Sequence, residues 1–205
     1  MNILTLLTLS AANAATLTVN SDGSGDHTSV QDAVDAASSG DTISIGAGTF
    51  DGAVSVSAKT LYIQGSGIGA TVLTGDGSSA VLSVQGAGLN LAQLTLQGGS
   101  QGIDLNGVIG SIDTVEVREN AGSETGGGIG IRNDSNMNLL TVYIEDNNAI
   151  NGGGIHLDAT SRANVSDGWI ANNSADESGG GIHASGNLEL SSTSIQENNA
   201  GIHGG

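Results

Sequence analysis

The sequence predicts an all-β chain wound as a right-handed parallel β-helix of about six coils, with a short helix capping its amino end. Three observations carry this. First, the text from Leu91 onward repeats. Its clearest copies read VEVRENAGSETGGGIGI, VYIEDNNAINGGGIHL, WIANNSADESGGGIHA and SIQENNAGIHGG. The apolar residues Val117, Ile144, Ile170 and Ile195 stand 27, 26 and 25 residues apart. A period of that size marks a solenoid. Second, apolar residues alternate within each copy, as in Val115-Val117, Val142-Ile144 and Ile155-Leu157, which is strand periodicity. No copy of the repeat holds a helical pattern. Third, fixed columns run through the copies. Leu91, Ile112, Leu139, Val165 and Leu190 form one, and Leu96 extends the Val117 column. Ile103, Ile129, Ile155, Ile182 and Ile202 form another. Stacked at one strand spacing, ~4.8 Å, such columns fill an interior. Coil length and the general preference of parallel crossovers give the right hand.

A structural asparagine column, Asn120, Asn147, Asn173 and Asn198, follows the Val117 column by three residues. Asparagine tolerates the left-handed turn conformation, and its stacked amides can hydrogen-bond from coil to coil. The Gly-Gly-Gly runs before Ile129, Ile155 and Ile182 fit a bend where side chains would collide.

GGGI paired with I/V-x-x-N resembles the GGA(I/L/V) and FxxN repeats of polymorphic outer-membrane proteins, with Ile or Val in place of Phe. More broadly, the chain from about Thr16 is similar to secreted bacterial proteins of the pectin-lyase-like β-helix superfamily. The resemblance implies a secreted or surface-exposed structural or adhesive module. The alternative it implies is a polysaccharide-binding or polysaccharide-degrading protein.

From the amino end, Met1–Ala14 has an apolar run and an Ala12-Asn13-Ala14 site. It reads as a signal peptide cleaved after Ala14, although no basic residue precedes the run. Residues 15–205 form one domain. Ala15 to Asn20 is a strand and Ser21 to His27 a turn. Thr28-x-x-Gln31 opens a helix with Val30, Ala33, Val34 and Ala37 on one face, stopped near Gly40. That helix is expected to plug the core. The run DGSGDHTSVQDAVDAA resembles the opening of pectin methylesterases, as an entry motif rather than a catalytic one. Asp41–Phe50 with Ala53–Ser57, and Thr60–Leu73 with Ala80–Val84, make the first coils. Ala121 to Thr125, Asn148 to Asn151 and Ser174 to Ser178 vary between copies and read as loops along one edge. Gly201 to Gly205 begins a strand and stops, so end-to-end association or continuation in a longer protein is expected.

Composition narrows the function. The chain has 21 acidic and 4 basic residues, a net charge of -17, and no cysteine. That balance disfavours nucleic acid, anionic polymers and anionic membranes unless Ca²⁺ bridges them. No segment is long enough to span a membrane. The expected partners are therefore a polysaccharide or a host or cell-surface ligand, at a secreted or bacterial envelope location.

Chemistry-bearing groups are few. Enzymes of the resembled superfamily use clustered Asp with Arg or Lys, paired Asp with His, or two Asp with Arg and Gln. None of these sets is complete here, and no catalytic residue is assigned. Arg118 is expected to pair across strands with Glu145, and Arg132 with Asp158. His156, His183 and His203 follow the column isoleucines, so they should stack outward, either as a duplicated surface residue or as a transition-metal face. Glu119, Asp146 and Glu197, with Asn172 between, and Asp22, Ser24 and Asp26 offer oxygen ligands for Ca²⁺ or simply solvated acidic surface. Tyr143 and Trp169 precede Ile144 and Ile170. They offer a two-ring sugar platform or pack on each other.

Overall fold

The computed structural model describes residues 14–205; all but the last residue of the Met1–Ala14 leader lie outside the described residues. The backbone winds into a right-handed parallel β-helix of about seven coils. The eight strands that form the spine of its largest sheet are Thr16–Val19, Thr42–Ile45, Leu61–Gln64, Gly88–Gln97, Ile109–Arg118, Asn136–Glu145, Arg162–Ser166 and Asn187–Ser191. Seven steps at ~4.8 Å give a rod about 34 Å long. The coil beyond the expected six arises because Thr16–Val19 pairs in this sheet with Thr42–Ile45 instead of standing outside the stack.

The apolar columns keep the register read from the period. Leu91, Ile112, Leu139, Val165 and Leu190 are successive partners. So are Leu96, Val117, Ile144, Ile170 and Ile195, and Ile103, Ile129, Ile155 and Ile182. From Leu91 to Val165, and throughout the Ile103–Ile155 run, these side chains are at most 1% exposed. A slip of one residue would turn each column out to water, so the pattern fixes the register.

A second sheet of six strands contains Val54–Ser57, Ala80–Gln85, Gln101–Asn106, Ile129–Arg132, Ile155–Leu157 and Ile182–Ala184. A third contains Ala121–Thr125, Asn148–Asn151, Ser174–Ser178 and Asn199–Ala200. The first three of these are the segments expected to be loops. They vary in sequence because their side chains face largely outward, and bulges absorb the change in length. Parallel pairing needs only backbone, so side-chain variation does not abolish the strand.

The helix Val30–Ala36 buries Val30, Ala33 and Val34 against the first coils. Its N-cap is Ser29, which accepts from the Asp32 amide, rather than the expected Thr28. Gln31 is therefore not a capping-box partner. It reaches Asp35 and holds the Ser55 backbone on both its groups. Lys59 Nζ donates to the carbonyls of Val34 and Ala37, each at 2.9 Å, which closes the carboxyl end of the helix.

The asparagine column is a buried ladder. Nδ2 of Asn120, Asn147 and Asn173 donates to Oδ1 of the next asparagine at 3.0 Å each time. The second Nδ2 proton of Asn147, Asn173 and Asn198 goes to the carbonyl of Val117, Ile144 and Ile170 in the coil before. Each Oδ1 also accepts a backbone amide from the previous rung. The left-handed backbone sits one residue earlier than expected, at Glu119, Asp146, Asn172 and Glu197, with φ between 54° and 56°. The asparagine itself is not left-handed and aims its amide along the ladder, while the preceding residue makes the turn.

One step of the glycine runs has a steric cause. A Cβ on Gly154 would lie 2.5 Å from the Gly181 carbonyl oxygen, and one on Gly128 the same distance from that of Gly154. The runs stack backbone on backbone where no side chain fits. Asn147→Ala should cost about 2–5 kcal/mol, because it strands the Val117 carbonyl and the Asn120 amide groups in a dry interior. Asn198→Ala, at a partly exposed rung, should cost less. Urea unfolding midpoints of the two variants check the order.

Candidate functional site

With the interior filled, chemistry lies on the outer faces of the sheets. On the largest sheet, Thr95, Glu116, Tyr143, Trp169 and Ser194 are successive cross-strand partners. All alternate with the inward Val117 column, but Thr95 is itself fully buried and accepts from the Gly69 amide. Tyr143 is 40% and Trp169 38% exposed, so each ring shows a substantial apolar face to solvent.

Acidic groups flank this pair. Glu116 Oε2 accepts from Thr95 Oγ1 at 2.9 Å and lies 3.2 Å from Arg118 Nε. Arg118 also reaches Glu119 at 2.6 Å. Glu145 is the register partner of Arg118, as expected, but the guanidinium turns to Glu116 and Glu119 instead. Burial, and then repulsion from Glu116 and Asp146, push the Glu145 carboxyl above its ordinary value against the pull of Arg118. The face thus offers two rings and a row of hydrogen-bond acceptors.

The second sheet carries a different column. Asp104, Gly130, His156 and His183 are successive partners. The imidazoles of His156 and His183 stack with centroids 5.2 Å apart and planes 10° from parallel. His203 does not join them. Its backbone bridges Ser178, and Ile202 donates to the Glu177 carbonyl. The step of only 20 residues from Ile182 to Ile202 places the pair in the third-sheet segment of the next coil, short of the Ile182 column. Two of the three expected histidines therefore come together. Among the described residues no group of three or more His, Asp or Glu converges on one point.

Arg132 turns toward the amino end. It pairs with Asp104 at 2.6 Å instead of the expected Asp158. The space beside Gly130 is taken by the Gln101 amide, which donates to the Thr125 carbonyl. Asp158 is occupied locally, accepting from the Asn133 amide at 2.7 Å and from Thr160. Burial of Asp104 outweighs the attraction of Arg132 and raises its carboxyl above the ordinary value. Asp104 Oδ1 and Arg132 Nε are buried without a hydrogen-bond partner. Nothing in the residue pattern signals this pair.

The carboxylates considered for Ca²⁺ are spread apart. Asp22 accepts from the amide and hydroxyl of Ser24, and Asp26 from those of Thr18. These bonds hold both carboxyls below their ordinary values. Glu119, Asp146 and Glu197 line the turn outside the asparagine ladder, at left-handed backbone positions.

No protein-family model matches the chain, and no curated protein matches it.

The histidine stack has a pH signature. Burial, and then the neighbouring His183, hold His156 below the ordinary histidine value of 6.5, with Asp158 opposing and Arg132 adding. The folded chain therefore favours the neutral ring. Its contribution to stability is complete above that value and is lost as pH falls through the lower folded value. Between about pH 8 and pH 5.5, wild type should lose more stability than His156→Gln, read as the shift in urea midpoint.

Proposed function

We propose that this chain is the rigid β-helical part of a secreted or surface-exposed bacterial protein, acting as a structural and adhesive module. The observation that carries the reading is the half-exposed Tyr143–Trp169 pair, held in register on a sheet whose interior is fully packed. A flat, preorganised face loses little conformational freedom on binding. The ligand class that suits it is a polysaccharide. Sugar rings offer apolar C–H faces to aromatic rings, and their hydroxyls donate to carboxylates such as Glu116 and Glu145. The net charge of -17 favours a neutral glycan, or an acidic one bridged by Ca²⁺.

Repeats resembling those of polymorphic outer-membrane proteins support adhesion, and the wider likeness to pectin-lyase-like proteins supports a glycan ligand. Export is supported by the Ala12-Asn13-Ala14 site after an apolar run. Among the described residues no helix is long and apolar enough to cross a membrane.

A second reading, polysaccharide degradation, draws on one observation: Glu145 holds its proton more tightly than usual beside Glu116. Two neighbouring carboxyls, one of them held above its ordinary value, are the kind of groups that general acid–base chemistry uses.

The purified chain, offered a panel of neutral and acidic polysaccharides with Ca²⁺ and with chelator, should bind at least one without shortening it. Changing both Tyr143 and Trp169 to Ala should weaken that binding roughly tenfold or more, with an unaltered melting temperature. Shortened glycan products would overturn the adhesive reading in favour of the second. Binding that survives the double substitution would remove the aromatic pair from the site.

A further inference from the structure

Ala15 is tied down through both ends of its backbone. Its nitrogen lies 2.7 Å from Asp41 Oδ1, and its carbonyl accepts from the Thr42 amide at 2.8 Å. The other oxygen of Asp41 accepts from the Ser38 amide, also at 2.7 Å. Asp41 is only 7% exposed. One carboxylate thus joins three places: the approach to the strand Thr16–Val19, the chain leaving the helix Val30–Ala36, and the start of the strand Thr42–Ile45. The two amide donors, with a smaller contribution from Lys59, hold the Asp41 carboxyl below its ordinary value, so it is ionised at neutral pH. Lys59 itself is bound to the carbonyls of Val34 and Ala37. No cation closes on Asp41 within salt-bridge distance among the described residues.

The nitrogen that faces this buried anion belongs to the residue directly after the Ala12-Asn13-Ala14 site. Ala14 and Ala15 are both exposed. We propose that hydrolysis of the Ala14–Ala15 bond turns the Ala15 amide into an α-ammonium that pairs with Asp41, so that removal of the leader locks the amino-terminal cap of the solenoid. The inference rests on the export reading above. In the step, the C–N bond breaks. Water supplies the hydroxyl of the new Ala14 carboxyl group and a proton to the Ala15 amine. That amine takes up a further proton, since free α-amines titrate near ~7.7–8.0. A neutral amide–carboxylate hydrogen bond becomes an ion pair at the same site. Charge-assisted bonds of this kind are roughly twice as strong as neutral ones. The charged partner also compensates the burial of Asp41, which the neutral amide does only in part.

The test begins with the chain exported from a bacterium with its own leader. Intact mass should show Ala15 as the first residue. The exported chain is then compared with the same chain acetylated at its α-amine, by urea unfolding near pH 6.5. The free-amine form should have an unfolding equilibrium constant roughly five- to tenfold smaller. That advantage should shrink as pH rises through the titration of the amine, and it should be absent in Asp41→Asn. If Asp41→Asn does not fold, the acetylation comparison and its pH dependence still decide. A first residue other than Ala15 would overturn the processing reading and the lock together. A free Ala15 amine whose acetylation changes nothing would overturn the lock and leave export standing.

Discussion

The structure depends on one constraint: each coil must return to the same place one strand spacing along the axis. The asparagine ladder enforces it. Asn120, Asn147 and Asn173 are buried, yet their side-chain amides bond from coil to coil, with Asn120 also donating to the Arg118 carbonyl of its own coil. A buried amide left unpaired costs about 1–3 kcal/mol, so a coil that slipped by one residue would forfeit several such bonds together. The apolar columns cannot enforce register alone, because Leu, Ile and Val are nearly interchangeable along a stack. The ladder is directional where the hydrophobic contacts are not, and it sits at the corner where the largest sheet gives way to the third.

That same division explains what can be read from the chain. A column of like residues at fixed period announces itself, so the apolar stacks and the asparagine register are legible in the residues alone. Geometry within a corner is not. The left-handed residue belongs to Glu119, Asp146, Asn172 and Glu197, a mixed set with no compositional signature, while the conspicuous asparagine beside it does not take that conformation. A further left-handed line runs through Gln93, Thr114 and Thr141 within long strands and through Asp167 and Ser192 between shorter ones, and its residue types carry no warning of it. Parallel strands can form wherever a neighbour supplies backbone groups. The variable segments of the third sheet therefore look like loops in the sequence and are not.

Surface pairings escape the sequence for a related reason. Period arithmetic places two residues in adjacent coils, but it does not say which way a long side chain leans. Arg132 could meet Asp158 ahead or Asp104 behind. Thr160 and the Asn133 amide occupy Asp158, and the guanidinium pairs with Asp104. Arg118 faces Glu145 in register and still prefers two carboxylates on its own coil. His203 illustrates the limit of matching by motif. Its GIH text copies that of His183, but its distance from Asn198 places it in a different sheet.

A solenoid whose interior satisfies itself coil by coil leaves its outer columns free to vary. The glycine corner packs against the histidines, Gly152 beside His156 and Gly179 beside His183, whereas Tyr143 and Trp169 stand on the outer face of the largest sheet. Ordered side chains on a stiff sheet also lose little entropy when a ligand arrives. The two faces differ in what that stiffness is worth. A stacked histidine pair gains from fixed spacing only if a ligand bridges both rings, and at 5.2 Å the rings already contact each other. The aromatic pair is kept in line along the axis by the register of Tyr143 on Trp169, next to the inward-packed Ile144 and Ile170.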